Sequence, residues 1–421
     1  RISNLLSPAR ILAWIALGIL AASSTCAQTP TNRPPEKSPS GRELTVEDLL
    51  PPARPEVTAY NNTWYTHYFA RAGWSFLGLL LLLRMGISAR IRAFAERKTA
   101  HGFLRIALYF SVYSLLLLLW MLPLSLIGYL IERSYGFATL TPITWLLDRG
   151  RNYLLGLVYI PVIWLGYLLL RRSPQRWWLW LWAGLIPVSC FTTIIYPIVV
   201  DPLFNRFQPL PDTPIRRDLL SLAQRAGIGE AQVFEVNMSE RTTKLNAYVT
   251  GIGPTKRIVL WDTTLRTMPE EEILAIMAHE IGHYTLKHIW WGLLLSILGG
   301  FVILWLLSRL YPMAVARFGA RAGIRDIHDM AGLPVFMLIL SVILFLQTPV
   351  ESAISRYMEH QADRYGIELS RMNEATARAF VSLHKQNYSD PDPPRLFVYW
   401  FYSHPPIRER IAFALRYRPV P

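Results

Sequence analysis

Charge is scarce in this sequence: 17% of its 421 residues are Asp, Glu, Lys or Arg, where a soluble globular chain carries about 25%. With 52% hydrophobic and 13% aromatic residues, the deficit excludes a fold whose whole surface faces water. Cysteine is nearly missing too. Cys26 ends a signal-like segment and Cys190 lies inside an apolar run, which excludes a disulfide framework. Acidic residues are the short sign, 29 against 43 basic ones, for a net charge of +14. Such an excess can serve nucleic acid or anionic lipid. Here the basic residues gather in short loops between apolar runs, which points to membrane topology and away from nucleic acid.

Arg1 and Arg10, the apolar stretch 11–22 and the small residues Thr25 and Ala27 read as a signal peptide or N-terminal anchor over 1–27. Residues 28–63 hold much Pro, Ser and charge and read as a flexible linker. Six apolar runs follow, at roughly 64–83, 104–131, 152–170, 177–200, 289–308 and 331–350, each near the roughly 20 residues that a membrane crossing needs. Leu79–Leu83 and Leu115–Leu119 lack the polar interruptions of a soluble core helix. Arg71 is the one uncomfortable residue. The expected organisation is a four-span membrane domain over 64–200 and a two-span hairpin over 288–350. The segments 201–287 and 351–421 are two parts of one catalytic portion. In the first part, Thr213 and Pro214 open an amphipathic helix, and 232–236, 246–250 and 257–261 read as strands. The second reads as helices broken near 390–394.

The chemistry is carried by His279-Glu280-Ile281-Gly282-His283. Pro269 and Glu270 to Glu272 start a helix there, with carboxylates at its positive end. Four residues are nearly one turn, so His279 and His283 leave one face and can reach one zinc ion. Glu280 stands beside the first ligand, placed to take a proton from water activated by the metal. The bland alternative is a helix with two satisfied histidines at a membrane boundary. Zinc hydrolases use three protein ligands, and Glu359 is the candidate, with His360 and Glu351 as rivals. It follows the last span as the histidine pair precedes the fifth, so the two meet if both lie on one side. Asp363, one turn further, can orient a ligand histidine. Taken alone, Glu359 reads more readily as half of an Arg356–Glu359 ion pair on a surface helix.

From Pro202 to the C-terminus the chain resembles the type I CAAX prenyl protease family, membrane-embedded zinc metalloendopeptidases. The resemblance rests on residues 201–207 with Pro209-Leu210-Pro211, Asn246-Ala247-Tyr248, and residues 257–263. It continues through the 279–283 motif to Lys287-His288, Ser355-Arg356 with Glu359, Gln361-Ala362-Asp363, Ser403-His404-Pro405-Pro406, and Glu409-Arg410. It implies one zinc ion per chain with Glu359 as third ligand, and Asn246, Ala247 and Tyr248 alongside the substrate backbone as an added strand. It also implies that His404 and Arg410 hold the substrate carbonyl or its developing oxyanion. His288 matches without an assigned role. The implied fold is mainly α, a polytopic membrane helical bundle with a zincin-like α+β catalytic portion carrying a small sheet. The sequence departs from the family in two ways. The family has seven spans, the first of which here would be the signal-like segment, and the loop before the zinc helix is compact.

The expected function is a zinc metalloendopeptidase in a bacterial inner membrane, cutting membrane-associated or lipidated peptides or proteins. Its partners are that substrate and the bilayer, with no nucleic acid. A catalytically inactive scaffold of the same fold is the alternative, and Glu280 argues against it, since a scaffold has no use for the proton acceptor. A transporter or channel would carry ionisable residues in mid-membrane, and apart from Arg71 the runs are nearly clean. Orientation divides the two lines of reasoning. Arg84, Arg90, Arg92, Arg97, Lys98, Arg171, Arg172, Arg176, Arg309, Arg317, Arg321 and Arg325 fall in loops on one side. The short 132–151 loop opposite has Arg133, Arg149 and Arg151 beside Glu132 and Asp148. Basic loops stay in the cytoplasm, which puts catalysis outside, whereas the family faces the cytosol.

Overall fold

The computed structural model describes residues 43–52, 54–229, 231–251 and 256–418. The expected signal or anchor over 1–27, with Cys26, lies outside them. Within the expected 28–63 linker, the described residues 43–63 take up structure instead. A short helix α1 (Val46–Leu49) is capped by Thr45, whose hydroxyl and backbone exchange hydrogen bonds with Asp48. Val46 and Leu50 pack into a cluster with Ile367, Phe380 and Ile411. Proline at its first turn starts α2 (Pro55–Arg84), so this helix enters well before the apolar run. Prolines and charges read locally as linker here serve as caps and helix starts.

The membrane portion continues with α3 (Ile87–Lys98), α4 (Gly102–Ser134), α5 (Pro142–Leu157), α6 (Ile160–Arg172) and α7 (Trp177–Ile195). After the catalytic stretch come α11 (His288–Phe318) and α12 (Leu333–Ser370). Among the described residues five helices are long and apolar enough to cross a membrane: α4, α5 with α6, α7 with its extension to Leu203, α11 and α12. The sixth expected run, in α2, passes only together with α3, at a 61° bend. Gly86 takes positive φ at that bend (64°), a conformation glycine adopts freely. Polar Asn61, Asn62, Thr63, His67 and Arg71 keep the front half of α2 from reading as a span.

The loops sort by contact into two ends. At one end Arg92 of α3 pairs with Asp329, and Arg325 pairs with Glu96 at 2.8 Å, tying α3 to the α11–α12 connection. At the other, Lys244 meets Glu132 at 2.7 Å and Arg241 meets Asp148 at 2.7 Å, tying the catalytic stretch to α4 and α5. The histidine pair and Glu359 therefore share one end.

That catalytic stretch runs β1 (Phe207–Pro209), α8 (Pro214–Arg225), β2 (Gln232–Val236), β3 (Ala247–Thr250), β4 (Arg257–Trp261), α9 (Asp262–Thr267) and α10 (Glu270–Thr285). After α12 come α13 (Asn373–Asn387), α14 (Arg395–Phe401) and α15 (Ile407–Arg416). The sheet order is β1-β2-β4-β3, with β2 and β4 parallel and both outer pairings antiparallel. Three strands were expected; β1, three residues ending in proline, gives too short a pattern to read. Alternation along β2 puts Val233 inward, beside Ile258, Leu260, Leu219, Leu222, Ile273 and Met277. Burying one such side chain is worth roughly 1.5–3 kcal/mol, so this cluster fixes α8 and α10 against the sheet.

Candidate metal centre and its surroundings

Two glycines decide how the site is assembled. A Cβ on Gly366 of α12 would stand 2.9 Å from the His279 amide nitrogen, and one on Gly282 of α10 would stand 3.2 Å from the Ala362 carbonyl oxygen. The two helices thus lie nearly backbone to backbone, which brings side chains from both to one point. There His279 Nε2 and His283 Nε2 are 3.1 Å apart, and each is 3.3 Å from a carboxylate oxygen of Glu359. Metal–ligand bonds of about 2.0–2.2 Å at tetrahedral angles set neighbouring donors roughly 3.3–3.6 Å apart. The donors present fit a zinc-sized ion, and they are the one such group of three among the described residues. Glu359 Oε2 is buried and has no hydrogen-bond donor of its own, as suits an atom reserved for a cation.

The rival ligands stand elsewhere. The His360 ring packs on Phe413, and Glu351 accepts from Gln347 at 2.7 Å. Arg356 makes no pair with Glu359; it donates to the carbonyls of Val398 and Tyr402 at 2.6 and 2.7 Å.

Behind His279, its Nδ1 lies 2.8 Å from Asp363 Oδ1. That contact fixes the proton on Nδ1 and leaves the Nε2 lone pair facing the metal position. Asp363 is itself gripped by Arg410, through Nε to Oδ2 at 2.9 Å and Nη2 to Oδ1 at 2.6 Å. Burial would raise the Asp363 pKa, but the Arg410 charge and the His279 hydrogen bond outweigh it and hold the carboxyl at about 2. Arg410, expected to touch an oxyanion, is buried with its fork on Asp363 and its guanidinium 4.1 Å above the Phe380 ring. Behind His283, Nδ1 lies 2.9 Å from His288 Nδ1, and His288 Nε2 lies 3.2 Å from Gln361 Oε1. With Nε2 of His283 kept free, the protons run one way, from His283 to His288 to Gln361. Glu280, between the ligands, has its pKa raised by burial against the pull of His279 and His283.

Asn246, Ala247 and Tyr248 lie where β3 begins. β3 pairs with β4 on one edge and has no strand on the other among the described residues. Its entry is pinned from several sides. Asn387 accepts from the Leu245 amide at 2.8 Å and donates to its carbonyl at 3.1 Å. Thr264 does the same for Asn246, at 3.0 and 2.8 Å. Lys244 is held by Glu132 and by the Tyr60 hydroxyl, at 2.7 Å each. The sequence carried no periodic signal for Asn387, Thr264, Tyr60 or Glu132; their partners are far along the chain. His404 stands exposed at the mouth, its Nε2 3.4 Å from Glu359 Oε1.

A helical membrane bundle carrying this His-Glu-His donor set on a small α+β portion defines a membrane metallopeptidase. Comparison with known proteins gives the family. The description "Peptidase family M48" matches residues 209–418, and "CAAX prenyl protease N-terminal, five membrane helices" matches 56–206. The uncharacterized metalloprotease YhfN of Bacillus subtilis is 38% identical over 366 residues, 86% of this chain and 85% of that protein. CAAX prenyl protease 1 of Saccharomyces cerevisiae is 32% identical over 309 residues, 69% of this chain and 68% of that one. The crystal structure of Ste24p from S. mikatae superposes with a TM-score of 0.75 at 27% identity, covering 88% of this chain and 92% of that chain. The chain belongs to peptidase family M48, and it is an integral-membrane metallopeptidase acting on peptides or proteins.

Proposed function

We propose that the protein is a zinc-dependent endopeptidase in a bacterial inner membrane that cuts membrane-associated or lipidated peptides. The observation that carries this is the trio His279, His283 and Glu359 at 3.1–3.3 Å spacing with Glu280 beside it. The trio would hold one zinc ion, which supplies Lewis acidity and makes hydroxide available near neutral pH. Glu280 takes a proton from the attacking water and returns it to the leaving amine nitrogen. The substrate lies extended along the free edge of β3, next to Asn246, Ala247 and Tyr248, with main-chain hydrogen bonds giving register. His404, open to the cleft, donates to the carbonyl oxygen as charge grows there. Arg410 acts through Asp363 in this reading, since its fork is already occupied. The four-span domain 64–200 and the hairpin 288–350 hold the two catalytic parts, 201–287 and 351–421, at the bilayer.

Glu280→Gln should keep fold and metal while turnover falls about 10²–10⁴-fold, as measured by peptide cleavage alongside elemental analysis. A metal-loaded variant with full activity rules the mechanism out. Orientation follows the charge rule in our reading, with the Arg-rich end inside and the metal centre outside. A single cysteine placed at an exposed position of α8, in a cysteine-free background, should react with an impermeant reagent in intact spheroplasts. Protection until permeabilisation reverses the orientation.

A further inference from the structure

A cavity of about 270 Å³ opens where α2, α4 and α5 meet the segment leading into β3. His67 and Arg71 line it from α2, Gly128 and Glu132 from α4, Arg149 from α5 and Arg241 from the connecting loop. Its cations outnumber its anions, and the pairing makes the imbalance sharper. Glu132, the one carboxylate on the wall, is taken by the Tyr60 hydroxyl at 2.5 Å and Lys244 at 2.7 Å. Arg241 is taken by Asp148 at 2.7 Å and the Phe204 carbonyl at 3.0 Å. Asp148 turns its other oxygen to Arg151 at 3.1 Å. Among the described residues, Arg71 and Arg149 are left without a carboxylate at ion-pair distance. The Arg149 Nε is moreover buried without an acceptor.

Guanidinium groups only donate, so two of them lining one open cavity call for a group that only accepts. A tetrahedral phosphate presents oxygens to both arginines at once and matches the guanidinium fork. The cavity also lies where the apolar run of α4 gives way to Glu132, the level at which phospholipid phosphates sit. Packing restricts the wall: a Cβ on Gly128 would come 3.2 Å from His67 Nε2, so added bulk there displaces that ring.

We propose that this cavity binds a phosphate group through Arg71 and Arg149, presented by a phospholipid headgroup or free in solution. The test uses the full-length, metal-loaded protein in detergent. Native mass spectrometry after incubation with phosphatidylglycerol reads lipid retention, and calorimetric titration with inorganic phosphate reads the free ion. Wild type should retain one lipid. Arg71→Gln and Arg149→Gln should each weaken retention about tenfold, the worth of one charge-assisted contact, and the double variant should abolish it. Arg149→Lys should restore part of the binding, and Arg151→Gln, whose partner is Asp148, should bind as wild type. Binding of inorganic phosphate alone, with the same variant order, assigns the site to the free ion. Equal binding by wild type and the double variant, or no binding of either probe by wild type, overturns the proposal.

Discussion

His279 and His283 leave one helix a turn apart, yet the structure supports them by opposite means. His279, with 8% of its side chain exposed, backs onto a buried ion pair between Asp363 and Arg410, 1% and 7% exposed. His283, 24% exposed, backs onto a neutral chain of His288, Gln361 and the Tyr357 hydroxyl. The deep side is held by charges that water cannot replace. The shallow side is held by dipoles, which water can partly mimic and which tolerate movement near the mouth. Rigidity at the metal is therefore graded from floor to entrance.

The sharpest way to break this contrast is Asp363→Asn. It takes away the carboxylate that Arg410 grips and leaves that buried charge with Glu359 alone, at 3.7 Å, a loss of about 3–5 kcal/mol, to be seen in thermal unfolding in detergent together with reduced metal content. Adding Arg410→Met should recover part of that stability, because the orphaned charge goes with it. A single variant as stable as wild type would end the distinction between floor and mouth. Next in size, His288→Ala should weaken metal binding about 10–100-fold, the usual effect of losing the partner that orients a ligand histidine, with little change in unfolding temperature. If it costs as much stability as Asp363→Asn, the two sides are alike. The smallest effect is expected from Asn387→Ala, which touches neither histidine. It should leave metal content and melting nearly unchanged and lower kcat/KM several-fold, mostly through KM, at about 1 kcal/mol for each of the two hydrogen bonds lost at the entry to β3. A change in metal content would mean that β3 and the metal centre are one unit.

The local part of this site was legible in the sequence. The His279–His283 spacing, the acidic start of α10 and the strands β2, β3 and β4 all follow from patterns a few residues long. Glu359 was one of three rivals on spacing, because choosing among Glu351, Glu359 and His360 needs the rotation of α12 relative to α10. That rotation is set by the close approach at Gly282 and Gly366, and nothing near Gly366 in the sequence announces it. Arg410 shows the converse: a resemblance pointed to the right neighbourhood, while only the fold reveals that its fork is turned to Asp363. His288 carried no reading because its role spans a break, with Lys287 at positive φ turning it back toward His283. The capped turn at Thr45 was masked by the proline-rich composition around it.

One feature of the fold has mechanical reach. α12 is a single helix of 38 residues, about 57 Å of rod at 1.5 Å per residue, and it contains both the last span and Glu359. No loop separates the lipid-facing half from the carboxylate, which rides roughly 14 Å beyond residue 350. Pro349 interrupts the helix ladder where the two halves meet, so flexure concentrates there. Helices answer a thicker or thinner bilayer by changing tilt. A bend at Pro349 lets the span change tilt while the half that carries Glu359 stays seated against α10 at Gly282 and Gly366.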